Sequence, residues 1–156
     1  MTKKSRQALA GRGLWGPART ALRVFGGIHS SVYRATDGRV AGRLVGSPVL
    51  LLVTTGRKSG KERTAPLLYL EDGGNLVVVA SVGGAPSHPA WYWNLKANPE
   101  ARVRLRERTL RVRAEEVGGE EKRRLWARLV EMYPPYQDYQ ERTERVIPVL
   151  VLRPAN

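Results

Sequence analysis

Apolar positions gather into short runs separated by breaks rich in glycine and charge. Pro48 to Thr55 (PVLLLVTT) reads as a buried strand and Thr64 to Leu70 (TAPLLYL) as a second, with Gly56-Arg57-Lys58-Ser59-Gly60-Lys61-Glu62-Arg63 as the hairpin tip between them. Glu71 to Asn75 forms the next turn, and Leu76 to Ala80 (LVVVA) is a third strand, expected to complete a meander with the first two. The loop from Ser81 to Ser87 is built of small residues. Ser87 or His88 then caps a short helix that begins near Pro89, runs to Asn98 and stops at Pro99. Arg102, Arg104 and Arg106 alternate with Val103 and Leu105, and Leu110, Val112 and Ala114 with Arg111 and Arg113. That period of two predicts a pair of strands turning at Glu107-Arg108 with arginines on one face. A helix follows from Glu121 to Met132, apolar at Leu125, Trp126, Leu129 and Val130. If Pro135 opens a further helical turn, Tyr136 and Tyr139 project together with Tyr133 at the entry. Val146 to Leu152 is the last strand, with Pro148 pointing to an edge or a bulge.

Ahead of these elements, residues 1–16 read as a flexible basic arm, and a helix starting at Pro17 carries Ala18, Leu22, Phe25, His29 and Val32 on one stripe. Docking of that stripe on the domain is the simpler reading, a helix lying on an anionic membrane the alternative. The division is therefore a basic arm and amphipathic helix over residues 1–32 and one domain over residues 33–156. Six mostly antiparallel strands interrupted by helices give an α+β class and a small barrel.

Composition narrows the chemistry. Among 156 residues there is no cysteine and only His29 and His88, which excludes disulfides, thiolate nucleophiles and a multi-histidine metal centre. The longest aliphatic run, Val49 to Val53, is too short to cross a bilayer, so the expectation is a soluble, cytoplasmic protein. Gly11-Arg12-Gly13-Leu14-Trp15-Gly16 matches a dinucleotide fingerprint in letters only, because no strand feeds its first glycine. Gly56 to Gly60 encloses too few residues for a phosphate-binding loop of the nucleotidase kind, and Glu62 stands where Ser or Thr is required. No serine-hydrolase elbow occurs. Absent an acid–base engine, an enzyme on this chain would rely on a bound organic cofactor.

The net charge of +13 directs attention to anions. Residues 1–43 hold nine Lys or Arg against the single acid Asp37. Arg57, Lys58, Lys61 and Arg63 make the hairpin tip either an anion cradle or a merely solvated loop. For the arginine strands a solvated face is the simpler reading, since no aromatics interleave as a nucleic-acid platform would need. For the three tyrosines, packing on the barrel is the simpler reading, an aromatic lid with polar tips the alternative.

Taken together, the chain resembles the deazaflavin-dependent nitroreductase family, the coenzyme F-420-dependent split-barrel reductases of actinobacteria. The resemblance rests on Pro48 to Leu52, Thr54 to Leu67, Ala80-Ser81, Gly83 to Pro86, His88 to Tyr92, Asn94-Leu95, Ala97 to Pro99, the tyrosine cluster, and Thr143, Arg145, Ile147 and Pro148. It implies a split β-barrel that passes a hydride from reduced coenzyme F-420 to a quinone or nitroaromatic acceptor without a metal. It further implies that Arg57, Lys58 and Arg63 hold the cofactor's phosphate or glutamate tail. Thr64, Ala65, Pro66, Leu67 and Leu68 would line its groove, and Val79, Ala80, Ser81 and Val82 would follow its chain and ring. Ala90, Trp91, Tyr92, Trp93 and Asn94 would close the pocket. Tyr133, Tyr136 and Tyr139, with Ser81 and Leu68, would surround the substrate, Tyr136 also touching cofactor. Val82 replaces a lysine common in relatives, and Leu68 a tyrosine found in some. The basic helix would allow peripheral contact with the inner face of the plasma membrane. The alternatives on the same barrel are a non-catalytic module for nucleic acid or lipid and a protein that uses flavin mononucleotide.

Overall fold

The structure is a computed structural model and describes residues 43–44 and 47–155. The expected arm, the amphipathic helix with His29, and the boundary near residue 32 lie outside the described residues. The chain order is β1 (Arg43–Leu44), β2 (Ser47–Thr55), β3 (Glu62–Leu68), β4 (Leu70–Asp72), β5 (Asn75–Val79), α1 (Ala90–Ala97), β6 (Glu100–Leu105), β7 (Arg108–Val117), α2 (Gly119–Met132), α3 (Pro135–Glu141) and β8 (Val149–Pro154). A single turn of 3-10 helix at Val82–Gly84 precedes α1.

All pairings are antiparallel, in the order β1-β2-β6-β7-β8-β5-β4, with β3 also on β2. The curled sheet is a split barrel, and alternation along its strands buries both faces. Leu76 and Val78 on β5, Leu150 and Leu152 on β8 and Val112 on β7 join Leu50, Leu52, Val103, Trp91, Tyr92 and Leu95 in the barrel interior. Val77 and Val79, Val149 and Val151, and Val117 point the other way, onto Leu125, Leu129 and Tyr136 of α2 and α3. Strands with both faces covered read as continuous apolar runs, which is why β5 and β8 are so rich in valine and leucine. Asp72 anchors α2 across the end of β4: Arg124 meets its carboxylate with two bonds of 2.9 and 2.8 Å, and Arg128 adds one of 2.7 Å.

Several expectations are corrected. The first three strands do not form a meander. The strand leaving the hairpin breaks at Tyr69, whose N–H reaches back to the Pro48 carbonyl at 3.1 Å, and β4 then turns through Gly73-Gly74 to pair with β5. β5 takes β8 as its other neighbour, while β2 takes β6. The added short strands β1 and β4 bring the described total to eight rather than six.

The last strand begins at Val149, not Val146, because Gln140 captures the Ile147 N–H at 2.9 Å and leaves Val146 exposed. Pro148 accordingly marks neither an edge nor a bulge but the residue just before a central strand. Neither Ser87 nor His88 caps α1; Pro89 occupies that position. The arginine hairpin turns one residue earlier than expected, at Arg106 and Glu107, with Arg106 at φ 53, so only Arg102 and Arg104 of that trio lie on the strand.

Gly84, at φ +81, lies where an added Cβ would stand 2.7 Å from the Tyr139 carbonyl oxygen. Gly84→Ala should therefore lower unfolding stability by about 1–3 kcal/mol in urea denaturation, through strain and overpacking between the loop and α3.

Candidate functional site

The hairpin tip is shaped by its own backbone before any ligand is considered. The Gly56 N–H donates to the Lys61 carbonyl at 2.7 Å and the Gly60 N–H to the Gly56 carbonyl at 2.8 Å. Gly56 leaves the turn room there: a Cβ would sit 2.8 Å from Ser59 Oγ and 3.1 Å from Lys61 O, so both would have to shift. Behind the tip, the buried amide of Asn94 reaches out from α1 in two directions. Its Oδ1 accepts the Arg57 N–H at 3.1 Å, and its Nδ2 donates to Thr54 Oγ1 at 3.1 Å. The cationic turn is thus fastened to α1 by a side chain that itself needs no charge.

Between hairpin and helix lies a cavity of about 440 Å³ lined by Gly56, Arg57, Lys58, Ser59, Arg63, Thr64, Ala65, Ala90, Trp91 and Asn94. Among the described residues no carboxylate pairs with Arg57, Lys58 or Arg63. Glu62, the one acid of the tip, is drawn away to Arg102 on β6. Elsewhere the pattern is the reverse: Arg113 faces Glu100, Arg123 Glu120, Arg124 and Arg128 Asp72, and Arg153 Glu115. Pairing of Arg102 and Arg113 with Glu62 and Glu100 also removes much of the positive face that a nucleic acid would meet.

Other residues expected at the site are distributed along β3 and behind it. Pro66 is half-buried; Ala65 and Leu67 pack against the barrel interior, whereas Leu68 packs against the second cluster, together with Tyr133 and Tyr139. Val79, Ala80 and Ser81 are buried at the end of β5, and Val82 opens the turn that follows. Tyr92 and Trp93 do not line the hairpin cavity. Tyr92 turns its hydroxyl to donate to Glu116 Oε1 at 2.6 Å, and burial followed by that carboxylate pushes its pKa up to about 12. Trp93 is exposed and stands edge-on to His88 at 5.4 Å.

The tyrosines come together as a cluster. Ring centroids of Tyr133 and Tyr136 are 5.0 Å apart, those of Tyr136 and Tyr139 6.3 Å, and the Tyr133 and Tyr139 hydroxyls share a hydrogen bond of 3.1 Å. Burial raises the pKa of Tyr139 to about 12, aided by the Tyr133 hydroxyl, and burial raises that of Tyr136 further still. The Tyr136 and Tyr139 hydroxyls are protonated throughout the neutral range. Gly84, three residues after Ser81, packs on the Tyr139 backbone.

Arg145 and Gln140 escaped assignment of any role from sequence. Arg145 Nε donates to Ala85 O at 2.8 Å, Nη1 to Ala80 O at 3.1 Å, and Nη2 to Ser81 O at 2.7 Å. Its Nη1 also lies 2.8 Å from His88 Nδ1. A guanidinium only donates, so Nδ1 accepts and the His88 proton sits on Nε2. Arg145 entered only as one residue of the family pattern, and a single arginine in a polar stretch carries no periodicity that would show its role. Among the described residues no three His, Cys, Asp or Glu gather as metal ligands, and no helix is long and apolar enough to cross a membrane.

Two outcomes test these contacts. Asn94→Ala strands the Arg57 N–H and the Thr54 hydroxyl, and should cost about 1–3 kcal/mol in urea unfolding. For His88, burial and then Arg145 hold the pKa below the ordinary 6.5, while Glu116 opposes them; Tyr92 and Trp93 are its ring neighbours. The unfolded chain therefore binds the proton first as pH falls. The His88 contribution to stability should be complete above about pH 6.5 and decline below it, toward the folded pKa. Stability measured across that window should fall less steeply in His88→Gln, whose amide oxygen can still accept from Arg145.

Comparison with known proteins identifies the family. Residues 26–154 match the sequence model of the family described as "F420H(2)-dependent quinone reductase". An F420H(2)-dependent quinone reductase of Mycobacterium tuberculosis is 43% identical over 129 residues, 80% of this chain and 87% of the relative. A solved structure described as an F420-H2 dependent reductase (FDR-A) has 47% identity and a TM-score of 0.64, covering 68% of this chain and 94% of that one. Another, described as a domain-swapped dimer, has 42% identity and a TM-score of 0.65, covering 81% and 96%. The chain belongs to the F420H(2)-dependent quinone reductases, split-barrel oxidoreductases that take hydride from reduced coenzyme F-420.

Proposed function

We propose that the β2–β3 tip holds the anionic tail of reduced coenzyme F-420, and that Tyr133, Tyr136 and Tyr139 with Ser81 and Leu68 form the face at which a quinone or nitroaromatic acceptor is reduced. The observation that carries this reading is the course of β3. Arg63 at its start lies in the cationic cavity and Leu68 at its end packs with the tyrosines. At about 3.3 Å per residue the two stand roughly 17 Å apart, a length suited to a ligand with a ring at one end and charge at the other.

The donor set fits such a ligand. Arg57, Lys58 and Arg63 are exposed and, among the described residues, without carboxylate partners, which suits a phosphate and glutamate tail. Thr64 adds a hydroxyl, and Ala65, Ala90 and Trp91 give the cavity apolar walls. Pro66 and Leu67 continue the groove, and Val79 to Val82 border the ring. Bound there, reduced deazaflavin supplies the hydride.

This chain's own residues then position the acceptor and move a proton. Reduction of a quinone to a quinol by hydride leaves one oxygen to be protonated. Tyr139, held protonated by its raised pKa and linked to Tyr133, is suited to donate a hydrogen bond to that oxygen. The Ser81 hydroxyl is a second donor on the same side. The surplus of cations in residues 1–43 supports an anionic membrane surface as the place where a lipid-soluble acceptor is met.

Titration with the deazaflavin should give a saturable fluorescence change. Arg57→Ala combined with Lys58→Ala should weaken it about 10–1000-fold, since charged hydrogen bonds contribute on the order of 1.5–3 kcal/mol each and exposure reduces this. Unchanged affinity in the double variant would defeat the tail assignment. Tyr139→Phe should lower kcat for a soluble quinone by about 10–100-fold while leaving cofactor affinity near that of the parent protein.

A further inference from the structure

We propose that Arg145 is a positioning residue that holds the turn from Ser81 to Ala85 in a strained left-handed form and so fixes the Ser81 side of the reaction face against the tyrosine helix. The inference rests on the reading of Ser81 and the tyrosines given above.

The strain is visible in the backbone. Val82 has φ 46, followed by Gly83 at φ 60 and Gly84 at φ 81. Glycine visits this region freely, but a β-branched residue there is an outlier that persists only when its surroundings over-determine it. Inside the turn, only two backbone bonds oppose the strain, Gly84 N–H to Ser81 O at 3.0 Å and Ala85 N–H to Val82 O at 3.1 Å.

Arg145 brackets the turn from outside. Its guanidinium takes the carbonyls of Ala80 and Ser81 on the entering side and of Ala85 on the leaving side, at 3.1, 2.7 and 2.8 Å. Three carbonyls in a fan suit a planar fork and cannot all be met by a lysine ammonium. Among the described residues no carboxylate pairs with Arg145, and its remaining contact is His88 Nδ1. The side chain is therefore committed to this loop.

Arg145 is in turn tied to α3. Gln140 Nε2 donates to the Arg145 carbonyl and Gln140 Oε1 accepts the Ile147 N–H, both at 2.9 Å. Gln140 follows Tyr139, whose backbone is the surface on which Gly84 packs. The contacts close a circuit from the tyrosine helix through Gln140 and Arg145 to the Ser81 turn, and back to Tyr139. Displacing the fork releases one side of the reaction face from the other, while the hairpin and Asn94 stay untouched.

The test uses the full chain and amide hydrogen exchange, which needs no bound cofactor. In Arg145→Lys the Gly84 and Ala85 amides should exchange about tenfold faster, with those of the β2–β3 ladder unchanged. With the deazaflavin and a soluble quinone, kcat should fall about tenfold while KM for quinone moves less. Val82→Gly, which relieves the strain, should bring exchange at Gly84 and Ala85 in the Arg145→Lys background most of the way back to the parent rate.

Equal acceleration over β2, β5 and α3 would overturn the proposal in favour of a general structural role. Unchanged exchange at Gly84 and Ala85, or no restoration by Val82→Gly, would also overturn it. Arg145→Met is the harsher variant; where it does not fold, Arg145→Lys decides the outcome. Should the parent protein fail to bind the deazaflavin, the functional reading falls, while the exchange experiment still tests the hold on the turn.

Discussion

Like charges crowded at one hairpin tip repel, and the fold has to keep them together without lending them carboxylates. A pair of charges ~8 Å apart in water repels by only about 0.5 kcal/mol, so the sum is modest beside a strand ladder and a buried amide. The β2–β3 register runs without interruption from Val49↔Leu68 to Thr55↔Glu62, and Asn94 fastens its far end to α1. Glu62, which could have neutralised its neighbours, is held by Arg102 instead. The result is a stable scaffold for an unneutralised site, where a carboxylate near Arg57 would have competed with any anionic ligand. An amide can brace the turn without that competition.

The same sheet joins the tip to the tyrosines because it is covered on both faces. Alternate residues of β5 and β8 enter the barrel interior or the layer under α2 and α3, so the two cores share their backbone. β3 begins beside the first and ends against the second. One strand can therefore serve the charged and the aromatic ends of a long ligand, and its pairing with β2 fixes their separation. A shift of register by one residue would send Ala65 and Leu67 out of the barrel and expose them. The position of the charged end is thus tied to burial of the apolar end.

Much of this was legible in the sequence where pattern is local. The hairpin, α1, the β6–β7 pair, α2 and the spacing of the tyrosines all followed from periodicity and turn chemistry within a few residues. What was not legible depends on distance along the chain. Nothing in Leu76 to Val79 says that its neighbour is Val149 to Leu152, because a strand buried on both faces has no alternation to indicate its partner. The break at Tyr69 is a hydrogen bond to Pro48, and the late start of β8 is a bond to Gln140, neither marked by composition. In the site, the cations stood out by type, whereas Asn94, Tyr92 and Trp93 were assigned to the pocket by the resemblance alone. The α1 segment is aromatic around much of its circumference, so its sequence does not say which ring faces which way. Glu116 and His88 decide that.

The two ends of the site differ in what holds them, and this bears on how each would work. The cations are on exposed side chains with freedom to adjust, so their attraction is long-ranged, sensitive to salt and tolerant of small misplacements. The proposed reaction face is the opposite: glycine against the Tyr139 backbone, a valine in left-handed conformation, and one guanidinium on three carbonyls. Hydride transfer depends steeply on the spacing of the reacting atoms, whereas capture of a tail does not. On that proposal, a fold that concentrates its close contacts around Ser81 and leaves Arg57 and Lys58 exposed places order where geometry is limiting. It follows that changes at the tip should alter occupancy before rate, and changes at the turn rate before occupancy.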